Sequence, residues 1–294
     1  MKFSLRQIEV FLALCHHQNM TRAASQLAMS QSAASSSLKE LEQQFDAQLF
    51  DRIGKRLQIN ERGRLLQPSA EALMEQAQEV EALLAGKGAN SLLKVGATLT
   101  IGNYLAVGIM AKMMQKNAGA EVSLSVANTS EITAKVLNFE LDIGLIEGEI
   151  QHPDLEVIEW CDDQLVVFCA PHHPLAKAAN LSEQQLINAP WILREQGSGT
   201  RQTFDRAMHG LLPQLHIAHE LQHTEAIKRA VEANLGIGCL SKVTLQEAFK
   251  RGSLIPLIVK SRDFSRKFYF VLHRKKYRSA SIGQWIDLCR HANL

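Results

Sequence analysis

Residues 20–42 read Met20-Thr21-Arg22-Ala23-Ala24-Ser25-Gln26-Leu27-Ala28-Met29-Ser30-Gln31-Ser32-Ala33-Ala34-Ser35-Ser36-Ser37-Leu38-Lys39-Glu40-Leu41-Glu42, and Leu49-Phe50-Asp51-Arg52-Ile53-Gly54-Lys55-Arg56-Leu57-Gln58-Ile59-Asn60 follows. Two short amphipathic helices meet at a tight turn, and a small basic hairpin comes after them. A chain with this pattern can present one helix to a DNA major groove and a wing to the phosphates beside it.

The pattern extends in both directions. Phe3, Ile8, Phe11, Leu12 and Cys15 recur at roughly helical spacing, which predicts a first helix over 4–17 with one buried stripe. Thr21 is placed to cap the second helix, whose inner face is Ala23, Ala24 and Leu27. Ser30 caps the third, with Ala33, Ala34, Leu38 and Leu41 on its buried side. The other side carries Gln31, Ser32, Ser35, Ser36 and Lys39, short hydrogen-bonding groups at the start of a helix where base edges would be read. Arg52, Lys55 and Arg56 surround Gly54 between the apolar pairs Leu49/Phe50 and Leu57/Ile59. A Gly-centred turn bearing cations suits contact with phosphate. Thr21, Arg22 and Ser30 complete the predicted DNA-binding set.

These residues resemble the LysR-type transcriptional regulators. The resemblance rests on Thr21-Arg22-Ala23-Ala24, Leu27, Ser30-Gln31-Ser32-Ala33, Leu38, Leu41-Glu42, Leu49-Phe50-Asp51-Arg52 and Glu61-Arg62-Gly63. The family commonly has Arg where this chain has Ser36 and often Pro where it has Ser32, so operator preference does not carry over. The resemblance implies a cytoplasmic homodimer or homotetramer that binds double-stranded DNA, responds to a small-molecule effector and meets RNA polymerase.

Composition agrees with a soluble protein of several domains. The chain has 294 residues, 46% of them hydrophobic, and a net charge of +2. Residues 1–64 hold nine Lys/Arg against six Asp/Glu, so the positive excess sits in the first module. No long apolar run marks a signal peptide or a membrane span. The five cysteines, Cys15, Cys161, Cys169, Cys239 and Cys289, include no C-x-x-C pair and suggest neither zinc nor a disulfide framework. Cys161 and Cys169 are the one close pair, which leaves a redox-sensing DNA-binding regulator as the alternative reading. No metal or cofactor is expected.

Leu66, Leu73 and Val80 are seven apart, and Ala70, Ala77 and Leu84 repeat the spacing offset by four. This a/d seam predicts a dimerisation helix over 61–86, with Pro68 in its first turns and a hinge at 87–91. The winged helix-turn-helix domain is therefore 1–60, and the effector domain 92–294. From Leu92 onward short apolar strands alternate with helices, which argues an α/β architecture with mostly parallel sheets. Predicted strands include 155–160 and 165–170, and the first helix of this region is predicted at 103–116. By resemblance the region is two-lobed and similar to periplasmic binding proteins. Lobe I is 92–161 plus 268–294, and lobe II is 162–267.

Two strand-to-helix junctions are suited to a small ligand. Thr98, Thr100, Ile101, Gly102 and Asn103 follow the first strand, and Arg194, Gly197, Ser198, Gly199 and Thr200 follow Trp191-Ile192-Leu193. Both offer hydroxyls and helix-start amides to an anion. Arg201 stands in a first helical turn, where a nearby anion would offset its unfavourable position. Glu147, Thr224 and Glu225 match the family's cleft lining; Glu147 tolerates a charged anion only with an Arg beside it or a proton on the ligand. The expected effector is an inorganic oxyanion or a small carboxylate. A P-loop, a G-x-S-x-G elbow and H-E-x-x-H are all absent, so an enzyme is not expected.

Overall fold

The computed structural model describes residues 2–53, 56–84, 92–117 and 119–292. Helices α1 (Leu5–His17), α2 (Met20–Gln26) and α3 (Gln31–Gln44) are followed by the hairpin β1 (Phe50–Ile53) and β2 (Arg56–Ile59) and by the long α4 (Glu61–Leu84). Val10, Phe11, Leu14, Ala23, Ala24, Ala34, Leu38 and Leu41 form one core beneath them. Ser4 caps α1 in a reciprocal box with Gln7, and Ser30 caps α3 by accepting from the Ala33 amide. The cap of α2 is Asn19, which accepts from the Arg22 amide; Thr21 lies inside the helix with an exposed side chain. An Asx oxygen reaches the third amide as well as a threonine does, and Asn19 stands one residue before the helix starts. Ala33 is exposed, not buried, because the inner stripe runs through Ala34, Leu38 and Leu41.

The heptad seam divides. Leu66, Ala70 and Leu73 pack on the core of the first module, whereas Val80 and Leu84 are exposed. Its first half therefore serves an intramolecular contact. Pro68 is the eighth residue of α4, in the helix interior, where it removes one backbone bond without ending the helix. The same helix meets the effector domain through an ion pair from Glu75 to Lys276, which also holds Asp142 at 2.8 Å. Tyr277 donates to Glu79 at 2.9 Å. The hinge predicted at 87–91 lies outside the described residues.

The effector domain contains β3 (Leu93–Thr98), α5 (Leu99–Ile101), a π-turn (Gly102–Ala106), α6 (Val107–Lys116), β4 (Val122–Ala127), α7 (Thr129–Leu137), β5 (Ile143–Glu147) and β6 (Leu155–Cys169). There follow α8 (Glu183–Asn188), β7 (Pro190–Arg194), α9 (Gly199–Ala207), β8 (His216–Leu221), α10 (Thr224–Glu232), β9 (Ile237–Ser241), α11 (Lys242–Arg251), β10 (Ile255–Leu257), β11 (Ser265–His273) and α12 (Ala280–Arg290). The first helical stretch starts at Leu99, four residues earlier than its periodicity suggests, because the junction residues are already helical. Strands 155–160 and 165–170 are one strand, β6, which pairs antiparallel with β11 across the whole length of the latter.

The sheet order is β4-β3-β5-β11-β6-β9-β7-β8, with β10 beside β6. It is mixed rather than mostly parallel. Pairs within β4-β3-β5 and β9-β7-β8 are parallel, and every pair made by β6 or β11 is antiparallel. The two central strands carry the chain between two cores. Cys161 and Phe268 pack with the first core, and Leu165 and Phe264 with the second. The parallel strands of each lobe thus end at the junction, where loops and helix starts from both lobes converge.

Candidate effector cleft and nucleic-acid interface

Of the residues predicted to face DNA, Thr21, Arg22, Ser30, Gln31, Ser32, Ser36 and Lys39 are exposed, and Ser35 is half-buried. Gln31 opens α3, and the Thr21 hydroxyl lies 3.4 Å from its side-chain oxygen. Arg52 is exposed on β1. Among the described residues, Arg22, Lys39 and Arg52 form no ion pair. Free cations beside exposed hydrogen-bonding groups are what phosphate and base contact require. Arg56 is the first residue of β2; its side chain, and the whole of Lys55, lie outside what is described. The turn between α2 and α3 is tight because Ala28 adopts φ +51°, letting the Met29 amide donate back to Ala24.

The cleft between the lobes is organised around Glu147, the last residue of β5. Its Oε1 accepts from the Thr98 hydroxyl at 2.9 Å and from the Thr100 amide at 3.0 Å. Its Oε2 accepts from the Thr200 hydroxyl at 2.8 Å and from Arg266 Nη1 at 2.8 Å. Four donors occupy the four acceptor positions of one carboxylate, and the residue is 1% exposed. Burial alone would raise this carboxyl. The Arg266 charge, with the threonine hydrogen bonds, more than offsets it and holds the group down at about 2.

Arg266 is the centre of the wider network. Its Nε donates to Asp163 at 2.6 Å, its Nη1 also reaches Thr200 at 3.0 Å, and Ser241 donates to Asp163 at 2.7 Å. Strand register explains the first pair, because Arg266 stands opposite Asp163 in the β11–β6 ladder. Glycine at 199 lets the backbones of the two lobes meet; a Cβ there would stand 1.9 Å from the Glu147 carbonyl oxygen. Further out, Tyr104 of lobe I donates to Glu225 of lobe II at 2.6 Å and receives from Lys228 at 3.1 Å.

The predicted cleft residues fall into groups. Thr98, Thr100, Glu147 and Thr200 meet at one point. Ser198 is buried and its hydroxyl makes no capping bond, and Thr224 Oγ1 is buried without a partner. Asn103 borders an opening of about 370 Å³ shared with Leu99, Asn128, Glu195, Gln222 and His223. Ile101 and Gly102 do not face the cleft: Ile101 belongs to the lobe I core, and a Cβ on Gly102 would meet Val126. Arg194 is held by its neighbour Glu195 through two bonds of 2.7 and 2.9 Å. Gly197, at φ +85°, accepts from the Ser130 amide across the lobes. Arg201 needs no external anion, since Asp205 and Glu220 each lie 2.8 Å from it. Sequence reasoning missed Arg266, Asp163, Ser241, Tyr104 and Lys228. Arg266 is 119 residues from Glu147, and no local pattern relates two positions that only strand pairing brings together.

Cys161 and Cys169 are not within disulfide reach of each other in this structure. Cys161 and Cys169 are eight residues apart on the extended β6, about 26 Å of strand, and belong to different cores. Burial, with Asp163 and Asp162 beside it, pushes the Cys161 thiol up to about 12; burial pushes Cys169 up to about 11. Thiols that stay protonated are poor nucleophiles.

Comparison with known proteins follows the same division of the chain. The family model described as LysR substrate binding domain matches residues 86–293. The model described as bacterial regulatory helix-turn-helix protein, lysR family, matches residues 5–64. The chain is 41% identical over 294 residues to the uncharacterized HTH-type transcriptional regulator YeiE of Escherichia coli (strain K12), covering 100% of this chain and 99% of that protein. Full-length OxyR from Pseudomonas aeruginosa shares the fold, with a TM-score of 0.76 at 22% identity over 100% of this chain and 96% of that one. The regulatory domain of Synechocystis CcmR in complex with 2-PG matches 68% of this chain and 95% of its own length, with a TM-score of 0.62 at 29% identity.

Proposed function

This chain belongs to the LysR-type family of DNA-binding transcriptional regulators, and from that premise we propose that a small anion received between its two lobes controls operator binding. The anion is an inorganic oxyanion or a small carboxylate, and the working unit is a homodimer or homotetramer on double-stranded DNA. The observation that carries this reading is the convergence of four donors, from both lobes and the crossover strand, on the single carboxylate of Glu147. A cleft that seats a carboxylate at 2.8–3.0 Å on every side has the size and donor set for a small anion. An opening lined by Asn103 and Asn128 of lobe I and by Glu195, Gln222 and His223 of lobe II supports a receiving space between the lobes. That the regulatory domain of CcmR holds 2-PG supports a small-molecule receptor of this fold.

Control follows from the geometry of the lobes. A ligand that binds one separation of the lobes better than another shifts their equilibrium, and with it the spacing at which an oligomer presents its recognition helices. The test is thermal unfolding of the purified protein with a panel of inorganic oxyanions and small carboxylates, followed by operator binding with any anion that stabilises it. Saturable stabilisation together with altered operator affinity is expected. A panel in which no anion acts beyond its ionic strength would remove the small-anion reading. Ser198→Ala, which deletes a buried hydroxyl that makes no capping bond, should weaken a stabilising anion about ten- to a hundredfold.

A further inference from the structure

We propose that Glu147 is a tethered ligand: its carboxylate occupies the anion position at the lobe junction and holds the lobes closed, so that an effector acts by displacing it. The proposal rests on the small-anion reading for the identity of the competitor, and on the geometry of Glu147 alone for the tether.

Every acceptor position of the carboxylate is filled, and none is turned to solvent. Thr98 and Thr100 belong to the helix start of lobe I, Thr200 to the helix start of lobe II, and Arg266 to the crossover strand β11. A side chain of one lobe thus receives what a free anion between the lobes would receive. Its own backbone is fixed as well: the Glu147 carbonyl accepts from the Thr129 hydroxyl at 3.0 Å and lies against Gly199. The tether gives the carboxylate a high effective concentration at the site, which a free anion must exceed in binding strength to take its place. Were Glu147 withdrawn, the Thr98 and Thr200 hydroxyls, the Thr100 amide and Arg266 Nη1 would lose their shared carboxylate in a buried site, while Arg266 Nε would keep Asp163. Buried donors that have lost their acceptor make the emptied site attract a small anion that can accept from them.

That attraction is testable with a probe that resembles the missing group. In the full-length protein, Glu147→Ala removes the carboxylate and leaves room for formate, while Glu147→Gln fills the same space with an amide. Unfolding is followed by tryptophan fluorescence during titration with sodium formate, against sodium chloride at equal ionic strength. Glu147→Ala should unfold about 6–15 °C below the parent protein. Formate, and not chloride, should saturably restore roughly a third or more of that loss. Glu147→Gln should be destabilised yet indifferent to formate, and the parent protein should also be indifferent. Equal responses of Glu147→Ala to formate and chloride would overturn the proposal, as would a Glu147→Ala protein as stable as the parent. Where Glu147→Ala does not fold in chloride, the yield on refolding from urea in each salt becomes the measure, and equal yields again overturn it. Formate rescue with no hit from the effector panel would leave the tether standing and the effector reading refuted. A panel hit without formate rescue would do the reverse.

Discussion

Replacing Arg266 by Met tests whether the lobe junction is held by charge or merely by packing. The change keeps an unbranched apolar stem near the Phe268 ring, over which the guanidinium carbon now lies at 5.3 Å. It removes the bonds to Asp163 at 2.6 Å, to Glu147 at 2.8 Å and to Thr200 at 3.0 Å. Both acids are 2% exposed and would be left without this cation. Breaking one buried pair by deleting one partner costs about 3–5 kcal/mol, and two stranded carboxylates place this change toward the upper end. The sign with pH distinguishes charge from packing. In the parent protein Glu147 is depressed to about 2, so its stabilisation is present above the unfolded value of 4.5 and is lost as pH falls through about 2. Without Arg266, burial, the largest influence on this carboxyl, is opposed only by the threonine hydrogen bonds and Arg194, and the folded value is expected to rise past the unfolded one. The loss should then be largest at about pH 8 and smaller by roughly 1 kcal/mol or more at about pH 5.5, where the buried carboxyl takes up a proton. Urea unfolding followed by tryptophan fluorescence isolates this domain, because Trp160, Trp191 and Trp285 all lie within it. A loss below about 1 kcal/mol, or one of equal size at both pH values, would refute a junction held by charge.

Three further outcomes are expected. Gln31→Ala should cost about 1–3 kcal/mol at one base position, whereas Arg52→Ala should weaken binding to all sequences and flatten the salt slope by about one; a sequence preference unchanged in Gln31→Ala would displace α3 as the reading helix. Because Leu73 packs inside the first module, the clean probe of assembly is Val80→Glu at an exposed seam position; sedimentation should show a smaller oligomer with folding intact, and an unchanged oligomer would free this end of α4 from the interface. Ala28→Gly should stabilise the helix-turn-helix by about 0.5–1 kcal/mol in denaturant unfolding, since a side chain at φ +51° is strained; destabilisation would contradict that backbone assignment.

The sequence by itself determined the first module, its family and the alternating pattern of the rest. The reason is that these features are local. The stripes at Phe11, Leu14, Leu38 and Leu41, the cap at Ser30 and the cations around the wing depend on neighbours within a few residues. The junctions at Thr98–Thr100 and Ser198–Thr200 were legible for the same reason, since hydroxyls and glycines between a strand and a helix mark a backbone that can approach an anion. What occupies the space between those junctions was decided only by tertiary structure. Strand register sets Arg266 opposite Asp163, β5 ends at Glu147, and two helix starts from different lobes close on its carboxylate. The same holds for the seam of α4, whose period is visible in the chain but whose partner is not: burial, not spacing, assigns Leu66, Ala70 and Leu73 to the chain's own core and leaves Val80 and Leu84 free. Periodicity tells which face of an element must be covered. Only the packed fold tells what covers it, because that depends on contacts between segments a hundred residues apart.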